Sequence, residues 1–567
     1  MEASAQKRGA APAGLIERVR RAGPGTLLFV AALLIAAAFL LDWLSQLTFW
    51  RDEWAFILDR RGSSLDVYLQ PFVEQLLAVP LAVYKLLIAA FGIESPLPFQ
   101  IAHTAAFVAT MAVVFVYVRR RVGEWLALAA VLPMLFFGPS WDDILFPFQI
   151  SLIAALGCGV GALLALDRED RRGDLIAMVL LTIGLFSQHV AIPFVAAAAL
   201  DIAFTRERWR RAYVIVIPAA LWLLWYAGWG REAQNFVSVH NFATEIGYVG
   251  DGLASSLSSL VGLAVPRDEM ALTPVDWGRP LLVIAIGFGI WRVASAGVGA
   301  MPRRLWAVIA AQLSFWTLTG LNAAFFGQAT SGRYQLVGAV LWVMIAAELL
   351  RGMRIARGVV IAVLAVSALS ALANFALLRQ TAGGLAEIAE QQRGGLAALE
   401  LTRDEVASGF TLTEENSGVD YLGIVDAASW FSAIDAYGTP AYTPAELAQA
   451  PEVARQAADR VFAAALEIHT APADPAAAAG AGCARIALDD APAAIPVGSE
   501  LILRSVDAEA ELALRRYASA SFPAELGAIK PGQTLALTIP ADGSRQPWQL
   551  AASGTGTLVA CDPEAAG

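Results

Sequence analysis

Residues 26–50 of the chain read TLLFVAALLIAAAFLLDWLSQLTFW, and the letters RDEW follow at 51–54. A helix rises about 1.5 Å per residue and the hydrocarbon core of a bilayer is about 30 Å thick, so about 20 apolar residues cross it. The stretch 26–47 has that length. Basic residues precede it, as in a signal peptide, but no small-residue cleavage site follows. The sequence therefore predicts a retained signal anchor, with Asp52 and Glu53 just beyond its far end.

The apolar pattern recurs along the first two thirds of the chain. Of 567 residues, 57% are hydrophobic and 16% are charged, whereas a soluble protein has about 25% charged residues. This composition excludes an ordinary soluble enzyme and a disordered chain, and it predicts a mainly α, polytopic membrane bundle. Eleven spans are predicted, at 26–47, 98–118, 125–138, 150–166, 174–187, 190–205, 213–229, 280–296, 305–322, 336–350 and 359–378.

Basic residues between the spans predict the orientation, because cytoplasmic loops are enriched in arginine and lysine. The arginine and lysine residues that flank the spans number 21 on one side of the membrane and eight on the other. The majority side comprises the N-terminal residues and clusters at 119–121, 168–172, 206–211, 292–304 and 351–357. The sequence thus predicts a bacterial plasma-membrane protein with a cytoplasmic N-terminus. Because 75–91 and 248–265 would break this alternation, both are predicted to be helices at the outer surface.

An odd number of spans places the C-terminal part outside the cell. Residues 1–379 carry a net charge of +5 and residues 380–567 carry −15, which predicts two bodies. The predicted divisions are a basic N-terminus at 1–25, a transmembrane domain at 26–380 with a long outer loop at 48–97, a helical region at 381–470, a linker at 471–482 and a β-sandwich-like domain at 483–567.

Local sequence signals predict the helices and strands of this C-terminal part. A helix is predicted over 384–407, and a capping box at Thr443-Pro444-Ala445-Glu446 predicts a second that runs past Pro451 to about 468. Short alternating runs after 483 predict the strands. Cys483 and Cys561 bracket these runs, so a disulfide between them is plausible on the oxidising side of the membrane.

Polar residues gather in the predicted outer turns. Each turn carries ionisable or amide groups at the edge of the hydrocarbon, where unpaired polar groups are expensive. Each group also has an ordinary interpretation, such as a solvated acidic turn, a helix N-cap or an arginine reaching the interface. Their recurrence instead favours a shared, water-filled cavity. The residues are Asp52, Glu53, Glu74, Asp142, Asp143, Gln149, His189, Arg333 and Tyr334.

This arrangement resembles the GT-C superfamily of polytopic glycosyltransferases, which includes protein O-mannosyltransferases and lipid A aminoarabinose transferases. The resemblance covers about residues 26–380. It rests on the acidic pair after the first span, the long first outer loop with a surface helix, the alternating short outer turns and the outer tail. The sequence departs from many relatives at Gln75, where they place a histidine beside the acidic residue.

The resemblance implies transfer of a sugar from a polyprenyl-phosphate donor to an envelope glycan, lipid or protein acceptor. Asp52 is the candidate base, with Glu53 orienting it or holding an ion, and proton transfer by such a group contributes about 10² to 10⁴ in rate. Arg333, with Tyr334 beside it, is the candidate for binding the donor phosphate. Second choices for this phosphate contact are Arg51, Arg60 and Lys85. Glu74, Asp142, Asp143, Gln149 and His189 are candidates for substrate binding.

Two other functional classes remain open. A transporter or flippase would also carry intramembrane charges, but it usually shows internal repeats, and none is evident here. A non-catalytic relative would keep the fold as an envelope-assembly protein. No Walker loop, dinucleotide fingerprint or Cys/His metal spacing is apparent, and no nucleic-acid partner is expected. Mg²⁺ or Mn²⁺ remains possible at the carboxylates.

Overall fold

A computed structural model describes residues 23–264, 276–323, 328–419, 425–479, 483–487, 492–542, 546–554 and 556–561. Helices dominate up to residue 465, as the apolar runs predict, and β-strands follow, as the alternating runs predict. Most of the predicted basic N-terminus at 1–25 and Arg267 lie outside the described residues, as does part of the predicted linker at 471–482.

The helices lie at the following positions in chain order. They are α1 (Pro24–Leu44), α2 (Asp52–Leu58), α3 (Leu65–Leu69), α4 (Ala78–Phe91), α5 (Leu97–Val122), α6 (Glu124–Val131), α7 (Trp141–Leu145), α8 (Ile150–Leu166), α9 (Arg171–Leu185), α10 (Ile192–Ala203), α11 (Arg208–Arg211), α12 (Tyr213–Gly228), α13 (Val239–Leu260), α14 (Gly278–Ala296), α15 (Arg303–Ala323), α16 (Gly332–Leu350), α17 (Arg357–Leu401), α18 (Glu414–Ser417), α19 (Ala427–Tyr437), α20 (Pro444–Leu447) and α21 (Glu452–Ala465).

Several of these helices can cross a membrane, so the chain is a polytopic membrane protein. Among the described residues, six have the length and apolarity required, namely α1, α5, Pro147–Leu166, α14, α16 and α17. A seventh results if Glu124–Phe136 and Gly138–Leu145, bent by 46°, form one broken span. Three further apolar helices, Ala78–Phe91, His189–Ala203 and Tyr213–Gly228, are shorter.

The predicted count of eleven spans is not confirmed. Every predicted span coincides with helical structure, but α9 has only 15 residues and begins with two arginines. α15 has 21 residues, and Arg303, Arg304 and Gln312 dilute its apolar character. Helix position therefore follows from the apolar runs, whereas the number that cross does not.

Small residues let the central helices of the bundle approach closely. α16 is the most buried of the long apolar helices, and it packs against α13, α15 and the turn at 138–145. A Cβ added to Gly252 of α13 would lie 2.2 Å from the Trp316 ring of α15, and one added to Gly338 of α16 would lie 2.9 Å from the same ring. Close packing at glycine is typical of membrane helices, where van der Waals contact drives association.

One helix is longer than predicted. The predicted span at 359–378 and the predicted tail helix at 384–407 are a single 45-residue helix, α17, which ends at Leu401. Gly383 and Gly384 lie within it. Glycine costs about 1 kcal/mol relative to alanine inside a helix, which is too little to end one of this length.

The predicted capping box is present, but the helix it begins is short. Thr443 Oγ1 accepts a hydrogen bond from the Glu446 backbone N–H, and the Glu446 carboxylate accepts one from the Thr443 backbone N–H. α20 ends at Leu447, and α21 begins after Pro451. The prediction of one helix running past Pro451 is wrong because proline lacks an N–H and disfavours helical geometry in the residue before it.

Two antiparallel sheets follow. Their strands are β1 (Thr470–Pro472), β2 (Cys483–Ala487), β3 (Ala493–Ile495), β4 (Ser499–Ser505), β5 (Ala510–Arg515), β6 (Ala524–Ile529), β7 (Thr534–Ile539), β8 (Trp548–Ser553) and β9 (Thr557–Cys561). One sheet has the order β1-β7-β4-β9-β2 and the other β3-β8-β5-β6. Cys483 and Cys561 lie opposite each other in the β2–β9 register and form a disulfide.

The chain divides into two compact units. The first unit comprises Met1–Leu44, Ser64–Ala82 and Gln100–Ala382. The second comprises Ser45–Ser63, Val83–Phe99 and Gly383–Gly567. The predicted outer loop at 48–97 is therefore shared between them, and Asp52 and Glu53 belong to the second unit.

Candidate functional site

In the second unit, the predicted acidic pair begins a short helix. Asp52 is the first residue of α2, and Arg51 before it has φ +47°, a left-handed conformation that costs a side-chain-bearing residue on the order of 1 kcal/mol. The Glu53 carboxylate holds this turn in place. It accepts hydrogen bonds from the Trp50 backbone N–H at 2.9 Å and from the Tyr84 hydroxyl at 2.7 Å. Asp52 is therefore presented by a fixed backbone.

Glu53 itself is 1% exposed. Burial raises the pKa of Glu53 to about 8, and the neighbouring Asp52 adds to that rise, while the bonds from Tyr84 and Trp50 oppose it. The side chain is thus mostly protonated at neutral pH. Both carboxyl oxygens of Glu53 are engaged by these two hydrogen bonds, which join the Asp52 turn to Tyr84.

Aromatic rings enclose this turn. Trp54 is fully buried and meets Trp430 of α19 edge to face at 5.4 Å, and Phe49 lies 5.5 Å from Trp54. Of the second-choice cations, Lys85 donates to the Gly62 carbonyl. Arg51 lies 5.0 Å from the Trp50 ring.

In the first unit, the predicted phosphate ligand stands in the first turn of a membrane helix. Arg333 is the second residue of α16, and its side chain is 51% exposed. Its Nε lies 3.9 Å from Oδ2 of Asp142 in α7. The structure thus brings together two residues that are separated by almost 200 positions in the sequence.

A serine joins the two segments that carry Arg333 and Asp142. Ser140 Oγ donates to the Gly332 carbonyl at 2.7 Å and accepts from the Leu336 backbone N–H at 2.9 Å. A Cβ added to Gly332 would lie 2.5 Å from the Pro139 carbonyl oxygen. Only glycine permits this approach without a shift of the backbone.

A buried glutamine fixes the turn before Arg333. Gln335 is 0% exposed, and its Nε2 donates to the Ala329 and Ser331 carbonyls, each at 2.9 Å. Its Oε1 accepts from Ser255 Oγ of α13 at 2.9 Å. The position of Arg333 is therefore determined by three segments of the first unit.

Further predicted residues lie close to Arg333. The Tyr334 ring lies 6.4 Å from both Phe315 and Trp316. Glu74, Asp142 and Asp143 are near enough to Tyr334 to act on it electrostatically. Asp143 is fully buried, and Glu74 accepts a hydrogen bond from Gln75 at 3.0 Å. Glu74, Asp142, Asp143, Arg333 and Tyr334 therefore form one polar cluster, which we call the Arg333 cluster.

Two predicted residues have other surroundings. The His189 ring packs edge to face against Trp222 at 5.7 Å and Trp225 at 5.9 Å. Gln149 is the last residue of a 3₁₀ turn that leads into α8. The structure thus places His189 among aromatic rings and Gln149 at the start of α8.

No family model and no curated protein matches this chain. A solved structure similar to it is that of ArnT from Cupriavidus metallidurans bound to undecaprenyl phosphate. The two chains are 12% identical with a TM-score of 0.43, and the match covers 74% of this chain and 85% of that one.

A metal ion held by a protein needs several ligating side chains close together. In the parts of the chain that the structure describes, no group of three or more His, Cys, Asp or Glu side chains could hold a metal ion.

The sequence did not reveal the residues that support the site. Tyr84 lies 31 positions from Glu53. Ser140 acts through its hydroxyl and Gln335 through its side-chain amide, and neither carries a charge. A weak signal existed for Gln335, because a glutamine within an apolar helix requires hydrogen-bond partners. Nothing in the sequence pairs Gly332 with Pro139.

Proposed function

We propose that this protein is a membrane glycosyltransferase. It transfers a sugar from a polyprenyl-phosphate donor to an extracytoplasmic cell-envelope acceptor, with inversion at the anomeric carbon. The observation that carries the proposal is the placement of Arg333. A half-exposed guanidinium in the first turn of a membrane helix suits a lipid-linked phosphate, since the helix N-terminus also favours negative charge.

The surroundings of Arg333 support a sugar beside that phosphate. Asp142 supplies a carboxyl group beside the guanidinium and Glu74 supplies another near Tyr334, and such groups bind sugar hydroxyls. Tyr334 adds an aromatic ring. A lipid phosphate alone would need only cationic side chains. A phosphate with an attached sugar uses cationic side chains for the phosphate and carboxyl groups for the sugar hydroxyls.

Asp52 is the proposed base. The acceptor hydroxyl attacks the anomeric carbon, its proton passes to the Asp52 carboxylate, and the bond between that carbon and the phosphate oxygen breaks. The electron pair leaves with the polyprenyl phosphate. A single displacement of this kind inverts the configuration, and its oxocarbenium-like transition state gains from a nearby carboxylate.

Transfer by the purified protein tests the proposal directly. The protein is incubated with a panel of radiolabelled polyprenyl-phosphate sugars and envelope acceptors, and the initial rate is measured. Asp52→Asn is expected to lower the rate by about 10²- to 10⁴-fold. Asp404→Asn, which changes an exposed carboxylate elsewhere in the second unit, is the matched control and is expected to leave the rate unchanged.

Arg333 is tested in the same assay. Arg333→Ala is expected to raise the donor KM and to lower kcat, because phosphate charge is present in the bound donor and increases in the transition state. Arg231→Ala removes an exposed arginine and serves as the control. Folded Asp52→Asn and Arg333→Ala variants that transfer sugar at the wild-type rate would refute the assigned roles. Movement of lipid-linked cargo in proteoliposomes, without transfer, would establish a transporter instead.

A further inference from the structure

A second polar cavity lies within the first unit, among different residues from the Arg333 cluster. Its volume is about 520 Å³, within the range of small-molecule sites. The cavity is lined by Pro302, five arginines and three carboxylates, namely Arg120, Arg121, Arg303, Arg304, Arg351, Asp167, Glu169 and Asp201.

These lining residues come from segment ends that the sequence predicts on one side of the membrane. Arg121 lies at the end of α5, Asp167 follows α8, Arg303 begins α15 and Arg351 follows α16. Four predicted basic regions thus converge on a single cavity, on the predicted cytoplasmic side.

Hydrogen bonds to two buried arginines fix the inner wall. Arg121 bonds to the fully buried Glu348, and its Nη2 lies 3.2 Å from Asp167. Arg304 Nη2 lies 2.8 Å from Asp201 and 3.4 Å from Asp167. Both guanidiniums are therefore held in place.

The remaining lining carboxylate is also engaged. Glu169 lies 2.5 Å from Nη2 of Arg303, whose Nε contacts Asp201 at 3.0 Å. Each of the three lining carboxylates therefore already contacts an arginine.

Two of the lining arginines form no close ion pair with the three lining carboxylates. Arg351 is 55% exposed and lies 3.7 Å from Glu348, a long contact to a carboxylate that Arg121 already occupies. Arg120 is exposed and forms no ion pair with the residues that the structure describes. Five arginines against three lining carboxylates and Glu348 leave one positive charge in excess.

We infer that this cavity binds a phosphate-bearing anion. Arg120 and Arg351 contact its oxygens, and the fixed Arg121 and Arg304 supply positive potential behind them. Guanidinium groups match phosphate in geometry and can bind it through two parallel hydrogen bonds. The anion is either the headgroup of an anionic lipid or a soluble phosphate. This inference does not depend on the proposed transferase activity.

Binding is measured on the full-length protein in neutral detergent with ³²P-labelled pyrophosphate, by equilibrium dialysis at constant ionic strength. We expect saturable binding to the wild type. The double variant Arg120→Gln/Arg351→Gln is expected to weaken it at least tenfold, while retaining the buried Arg121, Arg303 and Arg304 contacts. Arg210→Gln removes an arginine that is 83% exposed and does not line the cavity, so it is expected to bind like the wild type.

The lipid source is tested in nanodiscs. The thermal midpoint is compared in phosphatidylcholine alone and with phosphatidic acid, for the same three proteins, since a ligand that binds the folded state raises it. A rise with phosphatidic acid that the double variant loses, without pyrophosphate binding, identifies a lipid headgroup. Pyrophosphate binding without that rise identifies a soluble phosphate. Absence of both responses in the wild type, or equal responses in all three proteins, overturns the inference.

Discussion

At the scale of single residues, the buried Glu53 carboxyl predicts a dependence of stability on pH. Its pKa is raised from 4.5 to about 8, so the folded state binds the proton more tightly than the unfolded state. The stabilisation is fully present below pH 4.5 and is lost as pH rises through about 8. At about 1.4 kcal/mol per pKa unit, the loss is on the order of 5 kcal/mol. Thermal unfolding measured from pH 5 to 9 checks this.

Glu53→Gln separates this effect from other titrations. The amide does not ionise, so the variant is expected to show a flatter pH profile than the wild type. Its amide oxygen accepts from the Trp50 N–H and its NH₂ group donates to the Tyr84 hydroxyl oxygen, as the protonated carboxyl does, so the variant keeps both contacts at low pH. Equal slopes for variant and wild type between pH 6 and 8 would show that Glu53 is not the titrating group.

Gly332 predicts a second effect of a single residue. Gly332→Ala would place a Cβ 2.5 Å from the Pro139 carbonyl oxygen, so the start of α16 must shift away from the turn that carries Asp142. We expect a loss of about 1 to 3 kcal/mol in stability and weaker donor binding through Arg333. Gly287→Ala is the control, because nothing lies within 4 Å of its added Cβ. The thermal midpoints of the two variants are compared, and equal midpoints would contradict the expected clash.

At the scale of elements, the disulfide between β2 and β9 predicts a redox effect. It links Cys483 to Cys561 across 78 positions, and removing such a link typically costs 2 to 5 kcal/mol. Cys483→Ser is expected to lower the thermal midpoint of the second unit, and a reductant is expected to do the same to the wild type. Cys158→Ala, at the one cysteine outside the disulfide, should remain sensitive to the reductant. An unchanged midpoint in Cys483→Ser would refute the contribution.

Elements were predictable where their signals are local. The capping box at Thr443 and Glu446 marks a helix start because both partners lie within one turn. The prediction of where that helix ends failed because it followed the apolar pattern, which does not show that Pro451 interrupts the helix. The continuity of α17 across Gly383 and Gly384 could not be predicted either. It depends on whether the stability of a 45-residue helix exceeds the cost of two glycines within it.

At the scale of the whole molecule, the Arg333 cluster was predictable as a set of residue types but not as a set of contacts. The sequence placed Asp142 and Arg333 in outer turns, and the structure brings them to 3.9 Å. It could not supply Ser140, whose importance arises only where the first turn of α16 meets another segment. It also could not assign Asp52 to the second unit, because grouping depends on long-range packing.

The orientation of the chain is testable at α12. This helix has 16 residues, about 24 Å at 1.5 Å per residue, which is short for a span. Exposed arginines flank it, since Arg210 precedes it and Arg231 follows it. Its last turns carry Trp225 and Tyr226, and aromatic side chains of this kind prefer the membrane interface.

If α12 crosses in the predicted direction, Arg231→Cys reacts with a membrane-impermeant maleimide in spheroplasts, whereas Arg210→Cys reacts only after permeabilisation. Cys158→Ala provides the background for both variants, and labelling of each in denaturant controls for reactivity. Labelling of both from one side would mean that α12 does not cross, so every later segment would change sides. The reverse pattern would place the Arg333 cluster in the cytoplasm, where the proposed extracytoplasmic acceptor could not reach it.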